Sequence, residues 1–120
     1  GLMRGGSTGV AIGLGSAGIA LPPIINANNQ AHIETYVRPT IAGKKIAALA
    51  VTEPGAGSDV AGIRTRAVRD GDDYIVNGNK IFITSGVRAD FLTTLVRTSD
   101  DPHAGVSFLI IETYRECVQV

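Results

Sequence analysis

The chain has 120 residues, with 11 Lys plus Arg against 11 Asp plus Glu, so its formal net charge is zero. That is length for about one domain of ~100–200 residues, and the zero balance lacks the basic excess that nucleic acid or an anionic membrane would recruit. Hydrophobic residues at 44% and charged residues at 18% exclude a disordered chain; a single cysteine, Cys117, and two histidines, His32 and His103, exclude a disulfide framework and argue against a metal centre.

The chain opens Gly1-Leu2-Met3-Arg4, with neither an initiator Met at position 1 nor the tripartite pattern of a signal peptide. No run reaches the ~18 apolar residues of a membrane span. Both ends are abrupt, which predicts a piece of a longer polypeptide. Charge and texture change near residue 48. Residues 1–48 hold four basic and one acidic residue and are rich in Gly and Ala; residues 49–120 hold seven basic and ten acidic residues in short apolar runs between turns.

In chain order, Ser7 or Thr8 is placed to cap a helix running from Val10 to Ala20, weakened by its glycines. Pro22-Pro23 ends that helix or restarts another. A second helix is expected over Ala31–Val37, with Arg38-Pro39 ending or bending it. Strands are expected over 46–52, 64–69, 74–76, 80–84, 91–97 and 106–112. Asp70-Gly71-Asp72-Asp73 is a turn. Asn77-Gly78-Asn79 is the strongest hairpin signal, because Asn-Gly suits a type I′ turn. Strands this closely spaced predict an antiparallel sheet or barrel, since parallel pairs need longer crossovers. Helices first and strands after give the α+β class.

Two stretches carry possible chemistry. Gly13-Leu14-Gly15-Ser16-Ala17-Gly18 matches the G-x-G-x-x-G dinucleotide fingerprint, with Glu34 sixteen residues beyond. Pro22-Pro23 follows too soon for the helix that fingerprint needs, so close helix packing through small residues is the competing reading. Thr52-Glu53-Pro54-Gly55-Ala56-Gly57-Ser58-Asp59 follows an apolar strand directly. Its Pro-Gly turn, small residues and hydroxyls suit a ligand-binding loop whose amides approach a ligand closely; an ordinary strand connection is the alternative. Glu53 is a candidate base by type, but a hydrogen-bonding role in the turn suits it better. Asp59 is placed to cap the turn that follows.

Here a resemblance becomes specific. Ala50-Val51-Thr52-Glu53-Pro54-Gly55-Ala56-Gly57-Ser58-Asp59 resembles the first signature of the acyl-CoA dehydrogenases, and Asn77-Gly78-Asn79-Lys80-Ile81-Phe82-Ile83-Thr84-Ser85-Gly86 resembles the segment that follows it in them. The match runs from about Ala42 to Glu112. The resemblance implies residues 1–45 as the end of an N-terminal helical domain and 46–120 as an incomplete middle β domain. It implies FAD as cofactor and oxidation of an acyl-CoA thioester to the trans-2-enoyl-CoA. Leu49, Val51, Thr52, Gly57, Ser58, Phe82, Ile83 and Thr84 would then meet the flavin, with Ser58 also touching the acyl-CoA. Phe82 stands where many members have Trp, which keeps a stacking face without the indole N–H.

The resemblance puts the catalytic carboxylate and much of the acyl pocket in a C-terminal domain outside this chain, so no catalytic residue and no metal ligand is expected within it. It further implies an electron-transferring flavoprotein as electron acceptor, a homo-oligomeric parent, and a place in fatty acid β-oxidation. The location would be cytoplasmic in a bacterium or the mitochondrial matrix in a eukaryote. Thr113-Tyr114-Arg115-Glu116-Cys117-Val118-Gln119-Val120 departs from the Pro-Gly turn the family has after this point. Two other readings stand beside this one: an NAD-type dinucleotide-binding module built on Gly13–Gly18, and a truncated polypeptide without activity.

Overall fold

The computed structural model describes residues 8–101 and 104–120. Ser7, offered above as a cap, and His103 lie outside them. Helix α1 spans Thr8–Ala20 and α2 Pro22–Asn26. The break falls at Leu21 because the two prolines lack N–H donors yet suit a helix's first turn. The next helical stretch is continuous but mixed: α3 covers Gln30–His32, a π-helical turn Ile33–Val37, and α4 Arg38–Ile41. The Asn29 side chain caps it by accepting from His32 N–H at 3.2 Å. Arg38-Pro39 widens this helix without ending it. Arg38 N–H reaches back to Ile33 O, and Pro39 sits in the first turn of α4.

Five strands follow: β1 (Ala47–Ala50), β2 (Arg66–Asp70), β3 (Asp73–Asn77), β4 (Phe91–Arg97) and β5 (Val106–Glu112). Their spatial order is β1-β4-β2-β3, with β5 also on β4. Helices precede strands, so the α+β class holds, but the sheet is mixed where an antiparallel one was expected. β1 runs parallel to β4, from Ala47↔Phe91 to Ala50↔Thr94, and β2 meets β4 in parallel at Arg66↔Arg97. Among the strands of the described residues, the antiparallel pairs are β2–β3 and β4–β5. The forty residues between β1 and β4 allow the crossover that a parallel pair requires. Spacing between successive strands conceals a pairing between strands that are not successive.

The strand expected over 80–84 does not form, and Asn77-Gly78 is not a hairpin turn. The hairpin lies at the other predicted turn, where Asp70 pairs with Asp73 around Gly71 at φ +61°. Gly78 serves a different purpose: a Cβ there would sit 2.6 Å from Thr65 Cα. It is glycine because two backbones pass in near contact.

β4 is the buried centre of the sheet. Phe91, Thr93, Thr94, Leu95 and Val96 are all buried, as a strand paired on both edges requires. Two clusters pack on it. Ala20, Leu21, Ile24 and Val37 from the helices meet Ala47 and Phe91, with Tyr36 and Leu49 partly buried alongside; the Tyr36 and Phe91 rings are 4.9 Å apart. Thr93 Oγ1 donates to the last carbonyl of α1, Ala20 O, at 2.7 Å. Farther along, Ala56 and Ile63 meet Leu95, with Val51 packed against them. The first cluster seats the helices, and the second seats the loop that leaves β1.

Candidate functional site

The loop after β1 folds tightly. Glu53 N–H donates to Ala56 O at 2.9 Å and Ala56 N–H to Glu53 O at 3.1 Å, closing a turn over Pro54-Gly55. Val51 on one side of that turn and Ala56 inside it anchor the loop to the second cluster. Gly57 and Ser58 follow on an exposed stretch. A Cβ at Gly55 or Gly57 would meet no atom within 4 Å, so the backbone there is open to a ligand.

Glu53 is 7% exposed and fully engaged. Its Oε2 accepts from Arg64 N–H at 2.7 Å; its Oε1 accepts from Thr65 N–H at 2.9 Å and from the Lys80 ammonium at 2.8 Å. Burial works to raise its pKa, but the Lys80 ammonium and the Arg64 and Thr65 amides outweigh it and lower it from 4.5 to about 2. A carboxylate so bound is a poor base, in agreement with the structural role expected for it. Asp59 precedes the short 3₁₀ turn Val60–Gly62, but its side chain makes no capping bond there, contrary to expectation.

The second candidate stretch is tied directly to the first. Lys80 Nζ donates to Val51 O at 2.8 Å, and Ile81 N–H donates to Thr52 O at 2.9 Å. Immediately beyond, Phe82 adopts φ +56° and is 89% exposed. A left-handed conformation in a bulky residue costs about 1–3 kcal/mol, and an exposed phenyl ring gains nothing from the fold in return. Ser85 is also left-handed, at φ +66°. Between them Ile83 is half-buried against Gly86, whose N–H donates to Ile83 O at 2.9 Å, while Thr84 is exposed.

Of the sequence-predicted residues, the fold thus ties Val51 and Thr52 to Lys80 and Ile81, the two residues directly before Phe82. Gly57, Ser58 and Thr84 are exposed nearby in sequence, and Ile83 is a half-buried support. Leu49 packs chiefly against the core beneath the helices. A cleft of about 230 Å³ lies along Glu53, Pro54, Gly55, Arg64, Thr65 and Gly78; it includes none of the exposed candidates Gly57, Ser58, Phe82 and Thr84. The exposed candidates themselves are an unstacked aromatic ring at Phe82, open backbone at Gly57 and the hydroxyls of Ser58 and Thr84, with Thr52 half-buried beside Ile81. Together they fit a flat, partly polar ring system such as a flavin. Sequence reasoning missed Lys80. A lysine directly before the apolar triplet Ile81-Phe82-Ile83 was the available signal.

The dinucleotide fingerprint fails on geometry. Gly13–Gly18 lies wholly inside α1, so there is no strand-to-helix turn with free amides for a pyrophosphate. Packing through small residues holds in part: Ser16 is buried and Ala17 lies against the core beneath the helix, whereas a Cβ at Gly13, Gly15 or Gly18 would meet nothing within 4 Å. Among the described residues, no three His, Cys, Asp or Glu side chains are placed to hold a metal, and no helix is long and apolar enough to cross a membrane.

Comparison with known proteins gives the family. Residues 48–120 match the profile of the acyl-CoA dehydrogenase middle domain. The long-chain specific acyl-CoA dehydrogenase, mitochondrial, of Rattus norvegicus is 42% identical over 97 residues, which are 78% of this chain and 23% of that protein. The solved structure of a probable acyl CoA dehydrogenase from Mycobacterium abscessus is 64% identical and superposes with a TM-score of 0.87 over 89% of this chain and 28% of that one. An acyl-CoA dehydrogenase from Geobacillus kaustophilus is 39% identical, with a TM-score of 0.79 over 88% of this chain and 29% of its own. The chain therefore spans about a quarter of the length of these relatives. On the profile match, the identity and the shared fold together, the chain belongs to the acyl-CoA dehydrogenase family.

Proposed function

We propose that the native protein carrying this sequence is an FAD-dependent acyl-CoA dehydrogenase that converts an acyl-CoA thioester to the trans-2-enoyl-CoA. In this reading residues 1–45 end a helical domain and 46–120 supply part of the flavin site. The observation that carries it is the hydrogen-bonded junction of Val51-Thr52 with Lys80-Ile81, which presents Phe82 in a strained, exposed conformation. Strain of that kind persists only where the surroundings over-determine it, and it clusters at ligand sites.

FAD, when bound, supplies the hydride acceptor. This chain's residues bind and orient. Phe82 offers a stacking face, Val51 and Ile83 pack its support, and Thr52, Gly57, Ser58 and Thr84 offer backbone and hydroxyl groups to the ring. Leu49, expected to join them, packs chiefly against the core beneath the helices. Ser58 also serves the acyl-CoA, because it sits on the open stretch beyond the turn. Excluding water from such a surface strengthens each of these polar contacts. The proton-abstracting carboxylate is not Glu53, whose two oxygens are both occupied, and we place it outside this chain. An electron-transferring flavoprotein as acceptor, a homo-oligomeric assembly and a matrix or cytoplasmic location complete the proposal.

The test is direct. The full native protein should purify with bound FAD, and anaerobic addition of acyl-CoA should bleach the visible flavin bands with formation of the enoyl-CoA. A folded, colourless protein that takes up no FAD refutes the proposal.

A further inference from the structure

The Glu53–Lys80 pair is deeply buried, with side chains 6% and 9% exposed. An ion pair so shielded contributes little net stability compared with apolar groups of the same shape. What it supplies is geometry. The Glu53 carboxylate gathers three separate stretches of chain: its own turn, the Arg64-Thr65 amides and the Lys80 ammonium. Lys80 then reaches past it to Val51 O. Beside that bond Ile81 donates to Thr52 O, and the next residue is the left-handed, exposed Phe82. The loop over 78–84 has no strand pairing to hold it, so these few bonds set where the ring stands.

We propose that Glu53 and Lys80 are positioning residues: their buried pair fixes Lys80-Ile81-Phe82 against Val51-Thr52 and thereby sets the register of the surface that receives the flavin. Neither touches the cofactor; they act through Thr52 and Phe82. This inference rests on the flavin reading above.

The decisive variant is the double substitution Glu53→Gln with Lys80→Met in the full native protein. Lys80→Met alone strands a buried carboxylate and risks unfolding the loop, whereas the double variant removes both charges together. The apoprotein's melting temperature, its affinity for FAD by titration, the visible spectrum of the bound flavin, and hydrogen exchange at the Ile81 amide are measured for parent and variant. The expected result is a folded double variant that binds FAD about tenfold more weakly, the size typical of outer-shell partners, with an altered flavin spectrum and faster exchange at Ile81. A folded double variant that binds FAD as tightly as the parent, with the same spectrum, overturns the inference while leaving the flavin reading intact. A parent that binds no FAD refutes the flavin reading itself and this inference with it.

Discussion

Lowering the pH should destabilise this fold through one residue in particular. The Glu53 carboxyl titrates near 4.5 when the chain is unfolded and near 2 in the native turn. A depressed carboxylate contributes stability that is fully present above the unfolded pKa and lost as pH falls toward the folded one. The difference corresponds to about 3 kcal/mol at neutral pH, of which about 2 kcal/mol is gone by pH 3. Glu53 is buried, so solvent does not screen this away as it would at the surface. Glu112, bonded by Tyr114, Tyr36 and Arg115, is also lowered and acts in the same direction, so the parent alone does not isolate Glu53. Denaturant unfolding at steps between pH 7 and pH 3, run on the parent and on the Glu53→Gln/Lys80→Met double variant, does. The parent should lose about 2 kcal/mol more than the double variant over that range. Parallel curves for the two proteins would refute the assignment.

Gly78→Ala should destabilise by about 2–4 kcal/mol through overpacking and broken hydrogen bonds. The new Cβ meets the Thr65 backbone, which is held by Glu53 on one side and by Arg97 N–H at 2.7 Å on the other; a denaturation midpoint equal to the parent's would contradict that close approach. Phe82→Gly should leave stability unchanged or raise it by up to ~1 kcal/mol, because it removes left-handed strain at an exposed position, while FAD titration should show weakened binding. A large loss of stability would mean the ring is core. Gly15→Ala should stabilise by up to ~1 kcal/mol of helix propensity and so raise the melting temperature, since a Cβ there meets open space; circular dichroism melting checks it, and a loss of stability would mean that a neighbour packs closely at Gly15.

Much of this molecule is legible along the chain. The helix through Ala20, the restart at Pro22-Pro23, the turn at Gly71 and the strands Phe91–Arg97 and Val106–Glu112 all stand where the pattern puts them. Each rests on a local cause: proline's missing donor, glycine's left-handed freedom, or an apolar run of strand length. The Thr52–Asp59 loop and the Asn77–Gly86 stretch also announce themselves, because Gly, Pro and hydroxyl residues cluster there against an apolar background. The two errors within the Asn77–Gly86 stretch share an origin. Asn77-Gly78 has the composition of a hairpin turn, and Lys80–Thr84 that of a strand, but local propensity is overridden when the segment has a stronger tertiary partner.

What the chain determines by itself is therefore its α+β order, the turn at Gly71, and the family signatures that point to a flavin-binding loop. Tertiary structure alone decides that β1 lies parallel to β4 across forty intervening residues, that Gly78 must pass against Thr65, and that Lys80 finds Glu53 twenty-seven residues away. It also decides that Phe82 is turned out to solvent at a positive φ. Turn and helix chemistry depends on neighbours a few residues apart, so it is written in the local sequence. A buried charge pair, a parallel strand and a strained aromatic depend on which distant segment comes to lie alongside, and that is settled only when the whole core closes.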